Sequence, residues 1–270
     1  MSKQNKEPLF HITKRKELPL AKTWAIRIGA IVAALIVCAI VTTAMTGLDP
    51  FSVFGTIFYG AVGTERKMWI LLKELALLLS VALALTPAFK MKFWNLGGEG
   101  QILMGAWATA LCMIYMGDTI PSGLLILICL VAAVLSGAIW AMIPAFFKAK
   151  WNTNETLFTL MMNYVAIQLV AYFVMIWEVP KGSGKVGIIN QSSMAGWLPY
   201  IGTNSYLFVI IFVAIITAGM YMYLKYSKHG YEIAVVGESQ RTASYVGIKV
   251  DRVIIRTLLL SGAICGFTGW

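Results

Sequence analysis

The sequence predicts an all-α, polytopic bundle of transmembrane helices. Three observations carry that reading. The 270 residues are 59% hydrophobic and 13% charged, with a mean hydropathy of +0.76; a soluble domain carries about 25% charge. The apolar residues fall in continuous runs, most of them near the roughly 20 residues a helix needs to cross a bilayer. Within these runs polar and apolar residues do not alternate as barrel strands require, so each run must satisfy its backbone internally, as a helix does. The same composition excludes a disordered chain, and four cysteines are no disulfide scaffold. The net charge of +10 would suit nucleic acid only on a water-soluble body.

The elements follow in order. Residues 29–48 form an uncharged run behind a basic lead, residues 1–23. That lead suits a signal peptide, but the apolar core is too long and no clean cleavage site follows, so the run is read as an uncleaved first span. Residues 51–62 are too short to cross and are read as an interfacial or re-entrant piece. The second span covers 75–89 and reaches back toward Met68, with Lys73 and Glu74 at the outer interface. The third, 96–116, is apolar except for Glu99. Residues 120–147 carry no charge and allow a tilted fourth span. Runs 156–177 and 206–224 are the fifth and sixth. A seventh begins at Val253, with Arg256 near its start. The chain stops inside that apolar run, which reads as a truncated sequence. One transmembrane body, residues 24–270, is therefore expected, about seven spans in all.

Lysine and arginine set the orientation. With the N-terminus inside, the outer loops hold only Arg66, Lys67, Lys73, Lys181 and Lys185, and nearly all other cations fall on the inner side. That asymmetry predicts a cytoplasmic N-terminus. It also explains the net charge as an attraction to the anionic inner leaflet.

Catalytic chemistry is sparse. Each cysteine (Cys38, Cys112, Cys129, Cys265) lies in an apolar run and reads as a small buried hydrophobe. His11 and His229 lie far apart without ligand spacing, so no metal is expected. Residues 182–185 faintly resemble a P-loop, but Val186 stands where Ser or Thr must hold the metal. No zincin or nucleophile-elbow motif occurs, and no cofactor is expected.

Three segments carry information. The first, Asn95, Gly97, Gly98, Glu99 and Gln101, opens the third span. Its glycines allow close backbone approach, and Glu99 must face protein or water to avoid a cost of several kcal/mol in lipid. It serves either as a pathway element or as a polar helix cap. In the second, Asn154 N-caps the fifth span with Glu155 in its first turn. Thr156, Thr159 and Asn163 share one face of that helix, as interhelical glue or pathway lining, and the role of Gln168 stays open. The third is the inner loop, 225–252. Tyr231 to Gly237 is largely apolar, and Ser239 N-caps a short helix that Gly247 ends. Exposed apolar side chains there need a cover, either the protein's own helices or a cytosolic partner. Gly262-x-x-x-Gly266 in the last span permits a close helix crossing.

At these segments the sequence resembles the permease subunits of ABC importers of the branched-chain amino acid, ribose and nucleoside type. Residues 93–105 are similar to that family's FN-x-G-x-EGQ-x-x-x-G signature. Residues 154–164 are similar to its NE-V…-MLNY segment, and residues 234–248 to its AVG-x-N-x-x-AA-x-YAGI loop. The resemblance covers about residues 71–270 and is nearest to the simple-sugar and nucleoside branch. Departures are Trp94 and Gly98 in the first signature and Glu238–Ser239 in the loop. The resemblance implies a transport pathway of two permeases, the same chain or two different ones, in a bacterial plasma membrane. It implies cytosolic ATPases docked on Tyr231, Glu232, Gly237, Arg241, Tyr245 and Gly247, and a binding lipoprotein on the outer face, near residues 178–205. The protein itself would hydrolyse nothing. A branched-chain amino acid permease and a self-sufficient carrier or channel are the alternatives, and a membrane-embedded enzyme is a distant third.

Overall fold

The computed structural model describes residues 19–199 and 206–270. Compactness divides the chain into two units, Met1–Lys67 and Met68–Trp270. In the first, α1 (Leu20–Thr46) ends where Gly47 turns left-handed at φ 69° and its N–H returns to Thr43 O. Asp49 then caps α2 (Pro50–Val62) by accepting from the Ser52 N–H at 3.0 Å, with Pro50 in the first turn. No residue of α1 or α2 is buried. Helices apolar on every side have no face to turn to water, which suits lipid.

The second unit contains most of α3 (Glu65–Lys90), then α4 (Gly98–Met116), α5 (Ser122–Trp151), α6 (Glu155–Trp177) and α7 (Leu207–Tyr226). Two short helices, α8 (Lys228–Glu238) and α9 (Gln240–Tyr245), lead to α10 (Val250–Gly269). The seven expected runs all fold as helices. Five of them, α1, α3, α5, α6 and α7, are long and apolar enough to cross a membrane, while α2 is shorter. Helices α4 and α10, of 19 and 20 residues, have the length but are less uniformly apolar. Together with α5 they bury the most residues, eight on α10 and seven each on α4 and α5, so much of their surface meets protein rather than lipid.

The centre of this unit is α10 packed along α5 and α4, with α6 against α4. Glycines make the approach possible. A Cβ on Gly266 would strike Ala133 O of α5, one on Gly262 would strike Gly137 O, and one on Gly105 of α4 would strike Gly266 O. The Gly262/Gly266 pair thus works as a close crossing. Of the partner glycines, Gly105 closes the first signature, while Gly137 lies in a run where no sequence pattern marks it. Lipid tails are as apolar as leucine, so such packing contacts rather than apolar burial drive helix association.

At the other end of these helices the α6–α7 connection is laced down. The Asn190 amide donates to Met113 O at 2.9 Å and Ala195 O at 3.1 Å, and the Gly196 N–H donates to Ser122 Oγ at 3.1 Å. Ala195 joins Cys112, Leu125 and Cys129 in a small core. The face expected to meet a binding protein includes residues 200–205, which lie outside the described residues, as do His11 and most of the basic lead.

Candidate functional site

The turn between α3 and α4 carries the first signature. Asn95 is 1% exposed, and its Oδ1 accepts from the Gly97 N–H at 3.0 Å and from Gln101 Nε2 at 3.4 Å. Its Nδ2 donates to Ser261 Oγ of α10 at 3.3 Å. Leu96 is clamped by one turn of α6. Its N–H donates to Thr159 Oγ1 at 3.2 Å, and its carbonyl accepts from Asn163 Nδ2 at 2.7 Å. Asn163 Oδ1 accepts from the Gly100 N–H at 2.8 Å. A Cβ at Gly100 would stand 2.9 Å from that Oδ1, so only glycine admits the amide. The Gly100 N–H in the first turn of α4, and the Leu96 and Gly97 backbone groups before it, find partners here, as a membrane interior requires.

Asn95 and Asn163 spend their amides on other helices and are buried. Thr156 stands outside the clamp, and Gln168 is exposed on α6. Asn154 caps α6 by accepting from the Leu157 N–H at 3.2 Å. Glu155 pairs with Lys148 at 2.8 Å across the α5–α6 turn, where Asn152 takes a left-handed φ of 49°.

Glu99 differs from its neighbours. It is exposed and lines a groove of about 770 Å³ along α6, with Leu103, Ile167, Val174 and Glu178. Glu178 ends α6, and both of its oxygens are engaged. They accept from the Gly182 N–H at 2.7 Å and the Gly184 N–H at 2.8 Å. Those donors favour the carboxylate and hold the Glu178 pKa below its usual range.

The loop helices form the second constellation. Ser227 caps α8 by accepting from the Gly230 N–H at 2.9 Å, and Ser239 caps α9 by accepting from the Thr242 N–H at 3.2 Å. Gly247, at φ 84°, follows the end of α9. Ile233, Val236 and Ala243 are buried with Ala88, Ala145, Val253 and Leu258, so the protein's own helices cover the inner face of the loop. Gly237 lies inside α8, and a Cβ there would strike Lys90 O. The outer face stays bare, with Tyr245 93%, Tyr231 66% and Val246 60% exposed. Arg241 and Gly247 are exposed beside them, and Glu232 is half-buried.

His229 enters here, although its sequence context points to no role. Its Nδ1 pairs with Tyr223 OH at 2.6 Å, and its Nε2 lies 3.4 Å from Thr257 Oγ1. It ties α8 to α7 and α10. Burial lowers its pKa, with a smaller opposing effect from a backbone hydrogen bond at Val253. A lone histidine in a polar loop gives no sequence signal for such a tie, because Thr257 is 28 residues away.

The family model described as branched-chain amino acid transport system / permease component matches residues 68–270. The chain is similar to the guanosine ABC transporter permease protein of Bacillus subtilis, 29% identical over 263 residues, covering 96% of this chain and 72% of that protein. It is similar to the glucose ABC transporter permease protein of Haloferax volcanii, 26% identical over 271 residues, covering 96% and 70%. It is also similar to the nucleoside ABC transporter permease protein of Lactococcus lactis, 27% identical over 249 residues, covering 89% and 68%. No solved structure gives a significant match.

Proposed function

The chain belongs to the family of branched-chain amino acid transport system permease components, and from that premise we propose that it is the membrane-spanning subunit of an ABC importer. Its solute on this reading is a nucleoside or a simple sugar, the classes named for its relatives in Bacillus, Lactococcus and Haloferax. It is a multi-pass membrane protein, and its family is one of permeases rather than ATPases. ATP hydrolysis falls to a separate cytosolic subunit. A second permease chain completes the pathway, and an external binding lipoprotein delivers the solute. Seven helices cross on this reading (α1, α3 to α7, and α10), with the N-terminus in the cytosol.

The observation that carries the reading is the two-faced α8–α9 pair. Its inner face is locked into α3, α5 and α10, while its outer face presents Tyr231, Arg241, Tyr245 and Gly247 without cover. Such an element receives a push from outside the membrane and hands it to the packed α4–α5–α10 core. Gly237 and Glu232 support it from behind. Glu99, as a water-facing carboxylate on the α6 groove, lines the solute path and accepts hydrogen bonds from solute hydroxyl or N–H groups.

The test is purification of the full-length protein from mild detergent, with its co-purifying chains identified. A P-loop ATPase is expected with the wild-type protein. Tyr245→Asp, at a side chain that packs on almost nothing, is expected to lose the ATPase and uptake while keeping its melting temperature. Intact ATPase binding and uptake in Tyr245→Asp would sink the docking role. Uptake driven by an ion gradient in ATP-free vesicles would overturn the importer reading in favour of a carrier.

A further inference from the structure

A cavity of about 440 Å³ lies between α8 and the start of α10. Lys228, Lys249, Arg252 and Arg256 line it, with Glu232 as the one carboxylate on its wall. Among the described residues none of these five groups forms an ion pair. Four cations around one cavity repel one another, and a single unpaired carboxylate does not balance them. Arg252 and Arg256 stand one helical turn apart on α10 and open on the same space. Two guanidinium forks at that spacing match the oxygens of a phosphate.

The location selects the source of the phosphate. The last turns of α7 expose Tyr221, Met222 and Tyr226, and Lys225 Nζ donates to Tyr221 OH at 2.8 Å. Tyrosines and a lysine at a helix end mark the membrane–water interface. Lys228 follows directly, which sets the cavity at headgroup level. Ile248 and Val253 give it partly apolar walls. We propose that this cavity binds the phosphate headgroup of an anionic phospholipid, held by Lys228, Lys249, Arg252 and Arg256 while the acyl chains remain in the bilayer. A lipid held there braces the junction of α8 with α10, next to the His229 tie.

The test titrates the purified full-length protein with phosphatidylglycerol or phosphatidylcholine and counts bound lipids by native mass spectrometry. Phosphatidylglycerol is expected to bind in preference to phosphatidylcholine. A cation near a membrane surface contributes about fivefold in affinity, so Arg252→Gln with Arg256→Gln is expected to weaken phosphatidylglycerol binding by about 25-fold. Arg252→Lys with Arg256→Lys, which keeps the charge but not the fork, is expected to restore only part of it, and Lys150→Gln, on another exposed inner-loop cation, to change nothing. If the double glutamine variant does not fold, Lys228→Gln with Lys249→Gln carries the same expectation. Unchanged phosphatidylglycerol binding in the folded variants overturns the proposal. Complete displacement of the lipid by millimolar inorganic phosphate overturns it in favour of a soluble anion. Loss of the ATPase with lipid binding intact overturns it in favour of an acidic protein partner.

Discussion

Replacing Gly266 by alanine strikes the close crossing of α10 with α5. The added methyl would collide with Ala133 O and stand 3.0 Å from Ala133 C and 3.1 Å from Gly137 Cα. These are backbone atoms, so no rotamer change relieves the contact. The reciprocal variant, Gly137→Ala, sets its methyl 2.6 Å from Gly266 Cα, against 3.4 Å for ordinary contact. The same methyl would strike Gly262 O, so the helices must part by at least about 0.8 Å, and both faces lose dispersion contacts as they do. Overpacking of this kind costs about 1–3 kcal/mol, of which alanine's better helix propensity returns up to about 1 kcal/mol. With the full return the net loss against wild type is about 0–2 kcal/mol, and against a glycine-to-alanine control that meets no contact it is about 1–3 kcal/mol. For a domain of this size it lowers Tm by about 2–4 °C per kcal/mol. The assay is thermal unfolding of the full-length protein in detergent, followed by a thiol dye reaching Cys129 and Cys265, both fully buried in the folded state. Gly219→Ala on α7, where a Cβ meets nothing within 4 Å, is the control and is expected to melt no lower than wild type. If Gly266→Ala and Gly137→Ala melt with the control, close backbone packing does not hold this core.

Three further outcomes follow from the polar contacts. Asn163→Leu strands the Gly100 N–H and the Leu96 carbonyl; at about 1–3 kcal/mol for each buried orphan it is expected to melt well below Gln168→Leu, an exposed site on the same helix. The His229 pKa is lowered on folding, so the unfolded chain takes up its proton first, and the stabilisation present above the ordinary histidine range is lost as pH falls through it. Amide exchange in α8, corrected for intrinsic rate, should therefore rise on acidification from about pH 7.5 to 5.5, and His229→Gln should remove that dependence. The Glu178 pKa is also lowered, but for a carboxylate this means stabilisation present above the usual carboxylate range and lost as pH falls through it. Limited proteolysis across residues 179–187 should quicken under acid, and Glu178→Gln should be cut quickly at neutral pH as well.

Local signals were legible because their physics is local. Asn154 and Ser239 cap helices through N–H groups three residues ahead, and Gly247 follows a helix end with its own φ. A run of about 20 apolar residues is a helix wherever it lies in a bilayer. The loop 225–252 was also readable as an element that needs cover, although not which face was covered. Gly237, read as the end of an apolar segment, proves to be a contact point within α8. Thr159 and Asn163 were placed on one face by periodicity, but their shared hold on Leu96 spans more than 60 residues of chain.

The sequence alone determined an all-α membrane protein, its long apolar helices, the caps at Asn154 and Ser239, and its resemblance to importer permeases. Apolarity and capping act within a few residues and need no tertiary context. Tertiary structure decided which helices form the centre. In a protein solvated by lipid, inward and outward faces are both apolar, so hydrophobic pattern does not tell α5 from α7. Only the meeting of Gly105, Gly137, Gly262 and Gly266, and of Asn95 with Ser261 across 166 residues, selects α4, α5 and α10. Convergence of charge is likewise tertiary. Lys228 and Arg256 read as scattered inner-side cations until α8 folds back on α10 and brings them to one cavity.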